Sequence, residues 1–187
     1  EQLEKTEDNK WIITTSLGSK IKAPVVVIAA GLGSFEPRKP AIPELLSFEN
    51  KGVDYIIRDP EVYRDKKLVI SGGGDSALDW TVYLAELAQS ITLVHRRKEF
   101  RGAPDTVDKV MDLVEKGRVE LITEAEVTAL NGNGVLKEVT IVHDRDGNII
   151  REANNFIPLF GLSPKLGPIA EWGLNLDKNE IIVNTFD

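Results

Sequence analysis

The sequence predicts an α/β fold that combines a parallel sheet with a three-stranded antiparallel meander. Three observations support this prediction. Residues 67–71 are an apolar run of strand length, followed directly by a glycine-rich turn and a run of helix formers. Residues 91–94, 119–122 and 156–160 are predicted as further strands of the parallel sheet. The antiparallel part is predicted as strands at 125–130, 136–143 and 148–151, and the hairpin turn Asp146-Gly147 is its strongest signal.

The turn after residue 71 carries Gly72-x-Gly74-x-x-Ala77, and the predicted helix continues from Asp75 to Ala88. Gly72 permits a tight turn, Gly74 lets backbone approach a ligand, and Ala77 allows close helix–strand packing. Free N–H groups at the helix N-terminus attract phosphate. A strand, this turn and a helix form a dinucleotide-binding fingerprint, although a glycine-rich turn of another α/β domain has the same pattern. The predicted pyrophosphate-binding residues are Gly72, Gly73, Gly74, Asp75, Ser76 and Ala77.

A second stretch indicates which dinucleotide binds. About twenty residues past the glycines, the fingerprint expects an acidic residue that accepts from a ribose 2′-hydroxyl. This chain has His95-Arg96-Arg97 there, with Arg101 close by. A guanidinium binds a 2′-phosphate through paired, charge-assisted hydrogen bonds, whereas a carboxylate would repel it. The alternative is a solvated basic face or a nucleic-acid patch. We predict an NADP(H) site that includes His95, Arg96, Arg97 and Arg101.

Composition excludes several other functions. The net charge of −7 argues against a nucleic-acid or anionic-membrane partner. The absence of cysteine excludes disulfides, thiolate metal sites and a redox-active dithiol within these 187 residues. Two histidines far apart in sequence do not indicate a metal site. The longest apolar run is too short to span a bilayer, and the first residues lack signal-peptide character. We therefore expect a soluble, cytoplasmic protein.

The two ends of the chain predict pieces of a second, related domain. Residues 2–31 show the order of residues 125–161, namely three antiparallel strands, an apolar return strand and a glycine. The return strand is predicted at 25–30, buried in a parallel sheet, although the resemblance between the two pieces could also arise by chance. Other predicted elements are a strand at 53–57, a helical turn at 60–63, a helix at 104–115 and a strand at 181–184.

Proline and glycine between residues 31 and 43 indicate a domain boundary rather than an ordinary surface loop. We predict three segments. Residues 1–43 are the end of the first half of an FAD-binding domain with its crossing linker. Residues 44–161 are a Rossmann-like NADP-binding domain, and residues 162–187 return into the FAD-binding domain. On this interpretation the chain is the middle of a larger protein.

These motifs resemble those of the thioredoxin-reductase-like ferredoxin–NADP reductases, which are flavoproteins with two dinucleotide-binding domains. The resemblance covers nearly the whole chain, and its most specific parts are residues 72–80 and 95–101. It implies that Ala30 and Gly31 form the crossing segment beside the FAD and NADP sites, and that Gly161 lies near the nicotinamide. One departure is the missing Cys-x-x-Cys, which thioredoxin reductases carry in the stretch that aligns with residues 55–59.

The resemblance implies an oxidoreductase that passes hydride between NADP(H) and FAD and single electrons to or from ferredoxin or flavodoxin. It implies no catalytic side chain and no metal, and a homodimer for the intact protein, while the chain alone is expected to be inactive. Two alternatives stay open at this point. The chain is a non-catalytic NADP(H)-binding module, or it is a component of an NADPH-dependent flavin reductase or monooxygenase.

Overall fold

The structure is a computed structural model, and it describes residues 1–30, 34–177 and 180–183. It divides into two compact units, one formed by Glu1–Glu36 with Leu162–Asp187 and the other by Pro37–Gly161. The strands are β1 (Gln2–Lys5), β2 (Trp11–Thr14), β3 (Lys20–Ala23), β4 (Ser34–Pro37), β5 (Lys67–Ser71), β6 (Ser90–His95), β7 (Val119–Thr123), β8 (Ala125–Gly132), β9 (Leu136–His143), β10 (Gly147–Glu152), β11 (Asn155–Pro158), β12 (Leu162–Lys165), β13 (Leu176–Asp177) and β14 (Glu180–Ile181). The α-helices are α1 (Asp75–Leu84) and α2 (Pro104–Glu115), and short 3-10 helices lie at Leu45–Phe48, Pro60–Tyr63 and Gly167–Glu171. Within the described ranges, no helix is long and apolar enough to cross a membrane.

The unit Pro37–Gly161 is built on a parallel sheet with strand order β11-β5-β6-β7. Leu68, Ile70 and Leu93 point to one face of this sheet and pack against α1 and α2. Val69 and Phe156 point to the opposite face and pack with the antiparallel meander β8–β10. Both faces of β5 are buried, so its central residues Leu68, Val69 and Ile70 are all apolar. The predicted α/β class, with a parallel sheet and an antiparallel meander, is confirmed.

The unit formed by the two ends of the chain is organised differently. It contains an antiparallel meander with order β1-β2-β3, a two-stranded pair of β4 with β12, and the antiparallel pair β13–β14. Every buried hydrophobic residue of the described chain lies between Ile42 and Ile157. The described residues of this unit therefore contribute no fully buried apolar side chain. The meander β1–β3 matches the first part of the predicted repeat.

The predicted return strand at 25–30 is wrong. In the structure these residues lie outside any helix or strand, and Val25 and Val27 are 70% and 81% exposed. A strand requires hydrogen bonds to a neighbouring strand. Among the described residues, none of the strands pairs with this segment, so its apolar character alone does not make it a strand. The parallel part of the repeat is thus absent here.

Three smaller predictions also need correction. Residues 53–57 do not form a strand, because only Val53 bridges the sheet edge, at Glu49 and Phe156, while Ile56 is exposed. Helix α1 ends at Leu84, and residues 85–87 continue as turns rather than as helix. The strand predicted at 181–184 is the short β14, which ends at Ile181, and residue 184 lies outside the described ranges.

The glycine-rich turn between β5 and α1 is packed closely on two sides. A Cβ on Gly72 would lie 2.7 Å from the Cβ of Ala77 and 2.8 Å from the carbonyl oxygen of Leu159. A Cβ on Gly73 would lie 2.2 Å from Cε1 of His95. By contrast, a Cβ on Gly74 would meet no atom within 4 Å. Close packing therefore excludes a side chain at positions 72 and 73, whereas position 74 faces open space.

We predict that Gly73→Ala destabilises the fold more than Gly74→Ala does. The His95 ring is only 7% exposed and is stacked on Phe100, so it cannot move aside freely. Overpacking of this kind costs about 1–3 kcal/mol of unfolding free energy. Gly74→Ala, with open space around the new methyl group, should change that free energy by less than about 1 kcal/mol. Denaturant unfolding of both variants is the measurement, and equal losses in the two would contradict the packing described.

Candidate functional site

The carboxyl ends of three adjacent strands meet at one edge of the parallel sheet. The glycine turn follows β5, His95-Arg96-Arg97 ends and follows β6, and Gly161 lies just beyond β11. A cavity of about 650 Å³ opens at this edge. The predicted residues that line it are Gly72, Gly73, Gly74, Asp75, Ser76, His95, Arg96, Arg97, Arg101 and Gly161. The structure thus brings together residues that are up to 89 positions apart in sequence.

Two further predicted residues do not line the cavity, and a third is outside the described ranges. Ala77 is fully buried beneath the turn and packs against Gly72, so its place is structural. Ala30 is exposed and belongs to the other unit, and its assignment to a crossing segment stays a prediction. Gly31 lies outside the described residues.

The start of α1 presents unused hydrogen-bond donors to the cavity. Gly74 is the N-cap residue and offers no side chain to cap the helix. Within the described part of the chain, the backbone N–H groups of Gly73, Gly74, Asp75 and Ser76 donate no hydrogen bond. Unpaired N–H groups at a helix N-terminus, together with the helix dipole, bind anions. This end of the helix can therefore hold a phosphate group.

The segment after β6 adds positive charge to the same cavity. The side chains of Arg96, Arg97 and Arg101 are exposed. Over the residues that the structure describes, none of the three guanidinium groups forms an ion pair with a carboxylate. Guanidinium groups without internal partners are free to bind an anionic ligand through bidentate hydrogen bonds.

Backbone and carboxylate contacts hold this arginine segment in place. The N–H of Arg101 donates to the carbonyl of Gly73 at 2.7 Å, which ties the segment to the glycine turn. The carboxylate of Asp75 accepts from the N–H of Ala103 at 2.8 Å. One helical turn later, Asp79 accepts from the hydroxyl of Thr106 at 3.2 Å. Two acids on one face of α1 thus anchor the start of α2 and leave the arginines unneutralised.

His95 is buried at the centre of this arrangement. Its ring stacks on Phe100 with centroids 5.1 Å apart, and its Nε2 lies 3.0 Å from the carbonyl oxygen of Glu99. Because a carbonyl only accepts hydrogen bonds, we assign the ring proton to Nε2. Burial is the main cause that lowers the pKa of His95, and the nearby positive charges of Arg96, Arg97 and Arg101 lower it further. The hydrogen bond to the Glu99 carbonyl acts in the opposite direction.

Sequence reasoning missed three parts of the site. Arg38 lines the cavity and lies in the segment before the first 3-10 helix. The prolines around it form no recognised motif, so the sequence gives no signal of its role. Residues 125–128 at the start of β8, including the carboxylate of Glu126, form another part of the wall. The third part is the anchoring by Asp79 and by Asp75, which was predicted only as a cofactor-binding residue. The spacing of four residues between them in a predicted helix was the available signal.

The arrangement can bind a ligand with separated anionic groups, but it offers little for proton transfer. Among the described residues, no group of three or more histidine, cysteine or acidic side chains could hold a metal ion. The histidine in the cavity is buried and bonded to a backbone carbonyl. What converges here is a phosphate-binding helix start and a set of guanidinium groups, as a phosphorylated dinucleotide requires.

Known proteins with similar sequences carry names that include NADP. The chain is 61% identical over 191 aligned residues to ferredoxin–NADP reductase 1 of Christiangramia forsetii, covering 100% of this chain and 54% of that protein. It is 53% identical to the ferredoxin–NADP reductase of Flavobacterium johnsoniae, covering 98% of this chain and 52% of that protein. The chain therefore spans about half the length of these curated relatives.

Solved structures share the fold at low sequence identity. The thioredoxin reductase of Lactococcus lactis matches with a TM-score of 0.79 and 21% identity, over 98% of this chain and 59% of that one. The bacillithiol disulfide reductase of Staphylococcus aureus matches with a TM-score of 0.79 and 18% identity, over 99% of this chain and 56% of that one. The sequence model of the pyridine nucleotide-disulphide oxidoreductases matches residues 2–186. By that match, which covers almost the whole sequence, the chain belongs to the pyridine nucleotide-disulphide oxidoreductase family.

Proposed function

We propose that this chain is the NADP(H)-binding part of a flavoprotein that acts as a ferredoxin–NADP reductase. The observation that carries the proposal is the set of three unpaired guanidinium groups, on Arg96, Arg97 and Arg101, beside a helix N-terminus with free N–H groups. The names of the relatives at 61% and 53% identity support the reaction and the ferredoxin partner.

The arginine segment supports NADP(H) over NAD(H). The helix start binds the pyrophosphate, which both cofactors carry, so it cannot discriminate between them. Only NADP(H) has a 2′-phosphate on the adenosine ribose, where the arginines follow β6. In our proposal Gly73 to Ser76 hold the pyrophosphate, Arg96 and Arg97 bind the 2′-phosphate, and Arg101 lies beside it. Gly161, at the end of the next strand across, lies toward the nicotinamide.

His95 acts as a positioning residue in this proposal rather than as a direct ligand. Its ring fills the space above Gly73 and is bonded to the carbonyl of Glu99, which lies within the arginine segment. The neutral ring thereby fixes the distance between the helix start and the arginines. Because two parts of one ligand must be bound at once, that distance contributes to affinity.

The proposal includes FAD because of the family to which the chain belongs and the relatives that it matches. The described residues contain one strand, glycine turn and helix unit, at residues 67–84, and its arginines suit a phosphorylated nicotinamide dinucleotide. We propose that the flavin is held mainly by the part of the whole protein that this chain does not include. When both cofactors are bound, the chemistry supplied is hydride transfer between nicotinamide and flavin and single-electron transfer to an acceptor protein.

The residues of this chain contribute binding and orientation to that reaction. Hydride transfer needs no general acid or base from the protein, and the cavity residues fit that requirement. Flavodoxin as an alternative acceptor, a homodimeric whole protein and the segment boundaries at residues 43 and 161 stay predictions.

Our first prediction concerns cofactor choice. Replacing Arg96 and Arg97 together by Ala should weaken NADPH binding on the order of a hundredfold, since charge-assisted hydrogen bonds contribute about 1.5–3 kcal/mol each before screening. NADH binding should be nearly unchanged. Gly74→Val is the matched control, because a side chain in the open space at Gly74 should weaken both cofactors alike. Calorimetric titration of the 187-residue chain measures all four effects. Equal loss of both cofactors in the folded double variant would refute the assignment.

A second prediction concerns the electron acceptor of the whole protein. It should transfer electrons from NADPH to ferredoxin and should not reduce thioredoxin. Disulfide exchange requires a thiolate, and residues 55–59, which align with the stretch where thioredoxin reductases carry Cys-x-x-Cys, contain no cysteine. Assays of the flavin-loaded whole protein with each acceptor are the measurement. Thioredoxin turnover with no other reductase present would contradict the prediction, and NADPH binding without any electron transfer would favour the non-catalytic alternative.

A third prediction follows from the lowered pKa of His95. In the unfolded chain the histidine has its ordinary pKa of about 6.5. Above that pH the histidine is neutral in both the folded and the unfolded protein, so it does not change the free energy of unfolding. As the pH falls through 6.5 the unfolded state binds a proton first, so the free energy of unfolding decreases. We expect this decrease between pH 7.5 and 5.5 in denaturant unfolding.

The decrease should be smaller in His95→Gln, whose amide can still donate to the Glu99 carbonyl but does not titrate. An equal decrease in His95→Gln and in the wild type would show that burial of His95 is not its source.

A further inference from the structure

One guanidinium group in the cavity does not belong to the arginine segment. Arg38 lies between Pro37 and Pro40, and its side chain is exposed and lines the cavity. Its backbone N–H donates to the carbonyl oxygen of Gly161 at 3.0 Å. Arg38 is therefore fixed beside the end of β11, on the far side of the glycine turn from Arg96 and Arg97.

The neighbouring cation is used differently. Lys39 forms an ion pair with Glu49, with Nζ and Oε1 2.6 Å apart, and its ammonium lies 5.2 Å from the ring centroid of Tyr55. Arg38 forms no ion pair with any carboxylate in the described ranges. Lys39 is thus neutralised outside the cavity, whereas Arg38 lines the cavity without a carboxylate partner among the described residues.

Strand order indicates which part of a dinucleotide Arg38 meets. The order β11-β5-β6 puts the glycine turn in the middle, with the arginine segment on one side and Gly161 with Arg38 on the other. Neighbouring strands are about 4.8 Å apart, so the ends of β11 and β6 are separated by about 10 Å across the sheet edge. In the proposed site, a ligand whose 2′-phosphate lies after β6 places its pyrophosphate above β5, between the arginine segment and Arg38.

We propose that Arg38 binds the pyrophosphate of the dinucleotide from the side opposite the helix start. The inference rests on the proposed NADP(H) site and adds a residue to it. The N–H groups of α1 approach the pyrophosphate from one side, and a guanidinium fork on the other side completes its neutralisation through charge-assisted hydrogen bonds. Arg38 then contributes affinity without contributing to the choice between NADPH and NADH.

Three ligands separate this role from the alternatives. Adenosine 2′-monophosphate has the 2′-phosphate and no pyrophosphate, whereas 2′-phospho-ADP-ribose has both and no nicotinamide, and NADPH has all three. Arg38→Ala in the 187-residue chain should weaken NADPH and 2′-phospho-ADP-ribose about tenfold each and leave adenosine 2′-monophosphate unchanged. The substitution keeps the backbone N–H that bonds to Gly161. Lys39→Ala, which removes a charge from the adjacent position outside the cavity, should bind all three ligands like the wild type.

Each other outcome of these calorimetric titrations overturns the inference. Weaker adenosine 2′-monophosphate binding would make Arg38 part of the 2′-phosphate site. Loss of NADPH affinity with normal 2′-phospho-ADP-ribose binding would move its contact to the nicotinamide side. If Arg38→Ala and Lys39→Ala had the same affinities for all three ligands, Arg38 would act only through general charge or would have no effect. A wild-type chain that fails to bind NADPH would instead overturn the proposed function, and the inference would fall with it.

Discussion

The packing of the His95 ring on the backbone of Gly73 is the contact on which the rest of the site depends. It requires a residue without a side chain at position 73, and it buries an imidazole that stacks on Phe100. The N–H of Arg101 bonds to the carbonyl of that same glycine. The glycine turn and the arginine segment therefore form one rigid piece of structure. The carboxylate of Asp75 accepts a hydrogen bond from the N–H of Ala103, so it anchors the start of α2 and forms no ion pair with the arginines among the described residues.

The parts that could be predicted from the sequence are those whose physics is local. An apolar strand, a glycine turn and a helix start are encoded in the contiguous stretch 67–84, so each signal supports the others. The arginines at 96, 97 and 101 could be interpreted because the fold places them after the neighbouring strand. The meander was indicated by the hairpin turn at Gly147, which adopts a positive φ of 73° as such hairpins require.

The parts that sequence could not predict depend on contacts between distant segments. Residues 25–30 have the apolar character of a buried strand, but burial requires partners, and Val27 is 81% exposed among the described residues. Val53 is buried while Ile56 is exposed, which an apolar run alone does not distinguish. Arg38 and Glu126 enter the cavity only through tertiary packing. A solvated arginine between prolines carries no local signal that separates it from Lys39, its neutralised neighbour.

The buried core and the residues proposed to bind the dinucleotide lie in the same part of the chain. Every buried apolar residue of the described chain lies between Ile42 and Ile157, and every residue proposed to bind the dinucleotide directly lies between Arg38 and Gly161. We therefore expect affinity for the nicotinamide cofactor to be a property of the unit Pro37–Gly161. The electron transfer that we propose for the whole protein also needs the flavin, for which the described residues offer no second glycine turn after a strand. Substitutions at Arg38, Arg96 or Arg97 should consequently act on cofactor affinity, and any effect on the rate at saturating cofactor would have to arise from altered placement of the bound nicotinamide.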